Sequence, residues 1–103
     1  MTPSFMSIAL EEARAAGSRG EVPVGCVIVR DNKVITRAGN RTLVERDPTA
    51  HAELIAIRAA AALLGSERLT DCDLYATLEP CTMCAAAISF ARIRRLYFGA
   101  ADP

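Results

Sequence analysis

Three stretches of the chain place hydrophobic side chains at the spacing of a helix, and each is bounded by residues that start or stop helices. The three predicted helices run from a Ser4 cap to about residue 16, over residues 51–64, and from Pro80 to about residue 91. Gly17 and Gly65 are expected to end the first two helices, because glycine readily adopts the backbone conformation that stops a helix. Pro48 is expected to open the second.

Four shorter runs rich in β-branched and other hydrophobic residues predict strands over residues 24–29, 34–37, 74–78 and 95–98. A turn at residues 31–33 joins the first two into a hairpin. The last two flank the third helix, so this βαβ unit is expected to be parallel, with a right-handed crossover. The order α-β-β-α-β-α-β predicts an α/β layered fold, a mixed sheet flanked by helices. No repeat or linker interrupts it, so residues 1–103 are expected to form one domain.

Composition narrows the possible functions. Lysine and arginine (12) balance aspartate and glutamate (12), which excludes affinity for nucleic acid driven by overall positive charge. Two tyrosines, three phenylalanines and no tryptophan argue against an aromatic platform for stacked bases. The chain has no apolar run long enough for a membrane span, and its start lacks the pattern of a secretory signal. We therefore expect a cytoplasmic protein whose four cysteines stay reduced or bind metal.

One histidine and one close pair of cysteines form the candidate metal site. His51, Cys81 and Cys84 offer an imidazole nitrogen and two thiolates, the ligands that zinc prefers. Three protein ligands leave the fourth tetrahedral position for water, as in catalytic zinc sites. Both ligand sets fall at predicted helix starts, where free backbone N–H groups and the helix dipole are expected to favour thiolates. The sequence therefore predicts one catalytic zinc per chain.

Glu53 follows His51 by two residues and is the candidate proton carrier. In a regular helix the two side chains would diverge by about 200°, so they can serve one ion only if it lies off the helix N-terminus. The alternative is a non-enzymatic binding module with a structural zinc site, in which a fourth protein ligand (Cys26, Cys72 or Glu53) closes the site. A carboxylate placed beside a ligand histidine suits proton transfer, so we favour the enzyme. Cys26 and Cys72 are expected to be buried apolar residues.

The combination His51-Ala52-Glu53 with Pro80-Cys81-Thr82-Met83-Cys84 is the signature of zinc-dependent nucleobase deaminases. Within that superfamily the chain resembles the bacterial tRNA-specific adenosine deaminases over nearly its whole length. The segments that carry this resemblance are Glu21-Val22-Pro23-Val24-Gly25, Gly39-Asn40-Arg41, Asp47-Pro48-Thr49-Ala50-His51-Ala52-Glu53, Thr77-Leu78-Glu79-Pro80-Cys81-Thr82-Met83-Cys84 and Ala91-Arg92-Ile93.

The resemblance implies a homodimer with a cytidine-deaminase-like fold that converts the wobble adenosine of a tRNA anticodon stem-loop to inosine. Glu53 would move the protons, and the target base would leave its stack to reach the zinc. Asn40 is expected to hydrogen-bond the flipped base, since it matches the family's Asn-Arg pair. Val22 resembles a wall of the base pocket, and Asp102 matches a position near the RNA. Val22 is equally plausible as a core residue, and Asp102 as a solvated chain end.

Three other points remain open from the sequence. A deaminase of free guanine or cytosine would share the same zinc motif, so it is the alternative activity. Glu79 is expected to make structural hydrogen bonds rather than transfer protons. The basic cluster Arg92, Arg94 and Arg95 is either a solvated helix end, a phosphate contact or part of a dimer face. The family continues past Pro103 with a further strand and helices, so the chain is expected to be C-terminally truncated relative to it.

Overall fold

The computed structural model describes residues 4–100 as a four-stranded sheet with helices on both faces. Its elements in chain order are α1 (Phe5–Ser18), β1 (Gly25–Arg30), β2 (Lys33–Gly39), α2 (Ala52–Leu64), β3 (Cys72–Ala76), α3 (Thr82–Phe90) and β4 (Arg95–Phe98). This confirms the predicted class and element order. None of the helices in this part of the chain is long and apolar enough to cross a membrane.

The sheet is mixed, with strand order β2-β1-β3-β4. β1 runs antiparallel to both β2 and β3, and β4 runs parallel to β3, as the βαβ pattern predicts. The β1–β2 hairpin turns at Asp31 and Asn32, whose φ angles of 51° and 61° are those of a primed two-residue turn. Aspartate and asparagine tolerate this left-handed conformation better than most residues.

The central strand β1 divides the core into two layers by the period-2 alternation of a strand. Val27 and Val29 face α1 and pack with Ala9 of that helix. Cys26 and Ile28 face the opposite layer, where they pack with the alanine-rich face of α2 and with Ile88 of α3. Because β1 is covered on both faces, its residues from Gly25 to Val29 are all buried.

Helix α1 lies unusually close to the sheet because small residues meet on both sides. Ala9, Ala13 and Ala16 form its buried face, and Gly25 and Gly39 are paired across β1 and β2 beneath it. A Cβ at Gly25 would overlap the Ala9 carbonyl oxygen and lie 2.6 Å from the Ala13 nitrogen. These are backbone atoms, so the helix itself must move to accept any side chain at this position.

We therefore expect Gly25→Ala to destabilise the fold by about 1–3 kcal/mol or more, the usual cost of overpacking a tight core. Chemical denaturation of the wild type and the variant measures this difference. Gly65→Ala is an informative comparison, because open space surrounds Gly65 and only its φ of 67° opposes a side chain. A Gly25→Ala variant as stable as the wild type would show that α1 does not pack as described.

Four predicted boundaries differ from the structure. α1 continues through Gly17 to Ser18 and is capped at its C-terminus by Arg19, so Gly17 does not end it. α2 begins at Ala52, with His51 as its N-cap, so Pro48 does not open it. β3 spans Cys72–Ala76 rather than residues 74–78. α3 is also shorter than predicted, whereas β4 covers the predicted residues 95–98.

The shift of β3 has a tertiary cause in the buried residue Asp73. Its carboxylate accepts two hydrogen bonds from the Arg94 guanidinium, at 3.0 and 2.9 Å. This pairing holds the pKa of Asp73 below its ordinary value, and it lets an acidic residue occupy a covered strand. Arg94 is therefore a structural partner of β3 rather than part of a free basic cluster.

The lowered pKa of Asp73 predicts a pH-dependent contribution to stability. An Asp whose folded pKa is depressed stabilises the fold above its unfolded pKa, and this contribution disappears as pH falls through the folded value. Asp73→Asn is therefore expected to lower the melting temperature by a few degrees at pH 7, and its difference from the wild type should begin to shrink as pH falls below the ordinary aspartate pKa of about 3.9. Melting curves from pH 3 to pH 7 measure this. A constant difference across that range would contradict the linkage.

Candidate metal centre and base pocket

One edge of the sheet collects the connections that carry the predicted site residues. β2 and β3 end there and β1 begins there, so residues 40–51 and 77–81 lie next to the start of β1. The Gly25 N–H donates to Thr77 Oγ1 at 3.1 Å, and the Thr77 N–H donates to the Gly25 carbonyl. These bonds hold the β3–α3 connection against β1, and α2 and α3 both begin at this edge.

His51, Cys81 and Cys84 come together at the two helix starts. His51 and Cys81 are the N-caps of α2 and α3, both with extended backbone, and Cys84 lies in the first turn of α3. His51 Nδ1 is 3.6 Å from the sulfur of each cysteine. All three ligand atoms lie within 4.8 Å of one another. His51 thus lies before the helix rather than in its first turn. The divergence of about 200° that a regular helix would impose between His51 and Glu53 therefore does not apply.

These distances fit zinc. With Zn–N bonds of about 2.05 Å and Zn–S bonds of about 2.3 Å, tetrahedral geometry separates a nitrogen from a sulfur ligand by about 3.6 Å. The donor set of one imidazole and two thiols is likewise one that zinc takes. Within residues 4–100, no other side chain of the histidine, cysteine or carboxylate type joins these three as a fourth ligand, so the arrangement is that of an open site. This argues against the closed site of a non-enzymatic binding module.

The expectation that the helix start alone makes thiolates was wrong for Cys84. Burial raises the pKa of the Cys84 thiol well above its ordinary value, and nearby Glu53 raises it further. A hydrogen bond from the Leu54 backbone N–H acts in the opposite direction but is the weaker effect. The protein by itself therefore keeps this thiol protonated, and a bound cation is required to make it a ligand.

Glu53 lies in the first turn of α2, only 4% exposed. Its Oε1 is the buried side-chain polar atom that lacks a hydrogen-bond partner within the described part of the chain. Burial raises the pKa of Glu53 above its ordinary value, although its own backbone N–H and His51 lower it. An unpaired buried carboxylate is costly and typically marks a site that a ligand completes.

A cavity of about 240 Å³ opens beside these groups. Its lining joins the three connections at this edge: Val22, Val24, Asn40, His51, Glu53, Leu78, Glu79 and Cys81. The buried Asn40 side chain accepts a hydrogen bond from the Ala52 N–H at 2.8 Å through Oδ1. Arg19 donates to the Asn40 carbonyl at 3.0 Å. With Oδ1 occupied at the start of α2, Asn40 has its Nδ2 group left to donate toward the cavity.

The remaining site predictions have mixed outcomes. Val22 is 60% exposed and lines the cavity, so it is not a core residue. Glu79 also lines the cavity, and its backbone N–H donates to the Ala100 carbonyl. Asp102 lies outside the described residues, so its predicted place near the RNA stays a prediction. Cys26 and Cys72 are buried in the main core cluster, as expected.

Glu21 is a feature that sequence reasoning missed. It is buried, and its carboxylate accepts hydrogen bonds from Thr42 Oγ1 (3.3 Å), Leu43 N–H (3.1 Å) and Val44 N–H (2.9 Å). Burial raises the pKa of Glu21, but these bonds and Arg19 outweigh it and the net shift is downward. An acidic residue in a polar connection gives no sequence signal for such a role.

Comparison with known proteins agrees with this geometry. A tRNA-specific adenosine deaminase of Agrobacterium fabrum is 67% identical over 99 residues, which cover 96% of this chain and 65% of that protein. The chain therefore spans just under two thirds of that relative's length. A structure solved in studies of A-to-I editing by tRNA:A34 deaminases superposes with a TM-score of 0.94 at 67% identity. It is matched over 96% of this chain and 72% of its own.

A second solved structure, guanine deaminase from Bacillus subtilis, superposes with a TM-score of 0.91 at 41% identity, covering 94% of this chain and 62% of that one. Residues 2–100 match the cytidine and deoxycytidylate deaminase zinc-binding region. The match covers nearly the whole chain and includes His51, Cys81 and Cys84, whose geometry fits zinc. The chain belongs to the zinc-binding cytidine and deoxycytidylate deaminase family.

Proposed function

We propose that this domain hydrolyses adenosine to inosine at the wobble position of a tRNA anticodon. The observation that carries the proposal is the unpaired Oε1 of the buried Glu53 carboxylate, which lines a base-sized cavity beside the three zinc ligands. The cavity of about 240 Å³ is below the roughly 300–1,000 Å³ of sites for drug-sized ligands, so it suits one extruded base rather than folded RNA. Similarity to tRNA-specific adenosine deaminases favours adenine as that base.

The reaction consumes adenosine and water and yields inosine and ammonia. Zinc held by His51, Cys81 and Cys84 would supply Lewis acidity that lowers the pKa of a coordinated water toward neutrality. Glu53 is the general acid and base: its carboxylate takes the proton of the attacking water and delivers it to N1 of the purine. Glu53 then takes the proton of the new C6 hydroxyl and gives it to the amino group, so that the C6–N bond breaks, ammonia leaves and the C6 carbonyl of inosine forms. Its raised pKa favours this return of the proton near neutral pH.

Asn40 and Val22 are the proposed base-binding residues. Asn40 Nδ2 donates to an acceptor on the purine, because its Oδ1 is already committed to the Ala52 N–H. Val22 supplies an apolar wall for the flat face of the base, consistent with its exposure at the cavity. Asp102 is retained as a residue near the RNA on the resemblance alone.

An anticodon stem-loop is the proposed substrate because its loop bases are already partly unstacked, which lowers the cost of extruding one of them. Similarity to bacterial tRNA-specific adenosine deaminases favours a cytoplasmic enzyme. The net charge of zero predicts few phosphate contacts, and hence a shallow dependence of affinity on salt. The alternative, deamination of free guanine, is favoured by the similarity to the guanine deaminase structure.

A substrate panel distinguishes the two activities. Zinc-loaded protein is incubated with an anticodon stem-loop carrying a wobble adenosine, with the same stem-loop carrying guanosine there, and with free guanine. Nucleoside analysis by mass spectrometry is expected to show inosine from the first RNA and no change in the other two substrates. Conversion of guanine to xanthine without formation of inosine would establish the alternative.

We also propose that the chain forms a homodimer through the outer faces of α2 and α3. Leu63 and Phe90 are 67% and 79% exposed there, which is unusual for large apolar side chains and typical of an interface. Sedimentation velocity of the wild type and of Phe90→Ser is expected to give a dimer and a weakened dimer. A monomeric wild type at micromolar concentration would refute this assembly.

A further inference from the structure

Two exposed apolar side chains, Leu43 and Val44, lie near the base cavity and are unused by the chemistry described above. Leu43 is 67% exposed and Val44 is 56% exposed. Leu43 and Val44 belong to a turn that we call the rim turn, residues 42–46, which begins two residues after the cavity residue Asn40. The turn therefore continues directly from the wall of the cavity.

The rim turn is held in place by Glu21, the residue that precedes Val22. The Glu21 carboxylate binds the backbone N–H groups of Leu43 and Val44, so it fixes the path of the main chain and leaves both side chains outside. A buried carboxylate with three hydrogen bonds is an expensive anchor for a surface turn that only connects two elements. The Asp47 N–H donates to the Thr42 carbonyl and closes the turn.

Charge at the same turn indicates what kind of partner it fits. Glu45 in the turn pairs with Arg41 at 2.8 Å, whereas Arg46, at the end of the turn, is exposed and adopts a left-handed backbone conformation with φ of 51°. An apolar surface next to a cation matches a nucleotide, whose base is flat and apolar on its faces and whose phosphate is anionic. If the cavity takes one base of an RNA loop, the adjoining nucleotides must pass its mouth.

We infer that Glu21 is a positioning residue for substrate recognition, because it presents the rim turn to the base next to the target nucleotide. Leu43 and Val44 contact that neighbouring base, and Arg46 lies on the side of its phosphate. This inference rests on the proposed activity toward RNA. It adds to that activity a second subsite, which reads the neighbour of the target rather than the target itself.

Single-turnover deamination of a stem-loop by wild type, Glu21→Ala and Leu43→Ser tests this inference. Leu43→Ser leaves the backbone N–H that Glu21 binds, so it separates surface contact from loss of the anchor. Leu10→Ser is the matched control, since Leu10 is also an exposed leucine but lies on α1, outside the cavity lining and outside the proposed dimer faces. Zinc content and melting temperature are recorded for each protein.

Both rim variants are expected to raise the half-saturating RNA concentration about tenfold, the effect of losing about 1.4 kcal/mol of binding. Their saturating rate should stay within about threefold of the wild type, and Leu10→Ser should match the wild type. Unchanged half-saturation in Glu21→Ala and Leu43→Ser would overturn the inference. A loss of zinc and of saturating rate in Glu21→Ala, with Leu43→Ser unaffected, would reduce Glu21 to a structural residue and overturn it equally.

Two RNAs with an abasic site, one on each side of the target, complete the test as a double-mutant cycle. For the wild type, one of the abasic RNAs should have a half-saturating concentration about tenfold higher than that of the intact RNA. For Leu43→Ser, the same abasic RNA should have the same half-saturating concentration as the intact RNA. If each abasic site raises the half-saturating concentration by the same factor for the wild type and for Leu43→Ser, Leu43 does not contact a neighbouring base and the inference is wrong. A wild type that deaminates neither the intact nor the abasic RNA would instead overturn the proposed function itself.

Discussion

Glu53→Gln is expected to reduce the deamination rate by about 10²–10⁴-fold while zinc content and fold are retained. Gln has nearly the same shape as Glu and can hydrogen-bond, but it cannot take up and release protons at neutral pH. The loss should approach the upper end of the range, because one carboxylate serves both proton transfers. Glu53 already sits in the cavity with an unpaired Oε1, so the substitution also removes a buried charge and should not destabilise the protein.

Glu79→Gln is the matched control, because Glu79 lines the same cavity. We expect it to retain most of the activity. Single-turnover rates and elemental analysis of zinc are measured for both variants. A Glu53→Gln enzyme within a few-fold of the wild type would exclude Glu53 as the proton carrier, and Glu79 would then be the next candidate.

Cys84→Ala is expected to reduce zinc from one ion per chain to a small fraction and to destabilise the fold. Cys84 in α3 and His51 before α2 come from different helices with their ligand atoms 3.6 Å apart, so a bound ion would tie the two helix starts together. Because binding free energy of this kind is also folding free energy, the loss appears in both measurements. Elemental analysis and thermal denaturation with and without a chelator measure the two effects.

Cys72→Ala separates loss of a ligand from loss of a buried sulfur. Cys72 is as buried as Cys84 but is not part of the metal group. We expect this variant to be modestly destabilised, to keep its zinc and to remain sensitive to the chelator. Full zinc occupancy in Cys84→Ala would show that the ligand set is wrong.

The helix boundaries show where local sequence signals are sufficient. Gly65 ends α2 as predicted, because its own φ of 67° is what stops the helix. The start of α2 was misplaced because its cap comes from another part of the chain: Asn40 Oδ1 binds the Ala52 N–H. Residues 47–49 form a separate turn instead, in which Asp47 accepts from the Thr49 N–H and hydroxyl. The two residues are twelve positions apart, and no local sequence pattern predicts this hydrogen bond.

The site shows the same division between local and distant information. Residue type and spacing were enough to select His51, Cys81 and Cys84, because few other uses explain a histidine and a cysteine pair at two helix starts. The role of Glu21 could not be predicted from the sequence, because its carboxylate binds a turn more than twenty residues away. The direction of the Cys84 pKa shift also depends on burial, which only the packed structure defines.

The proposed reaction adds water to C6 of a wobble adenosine. Deamination of the stem-loop in ¹⁸O-water, followed by digestion and mass spectrometry of the nucleosides, tests this most directly. The expected product is inosine with one ¹⁸O atom at C6, formed from the wobble nucleotide by the zinc-loaded wild type and not by Glu53→Gln. Adenosine that remains unchanged, or inosine that forms equally with Glu53→Gln, would contradict it.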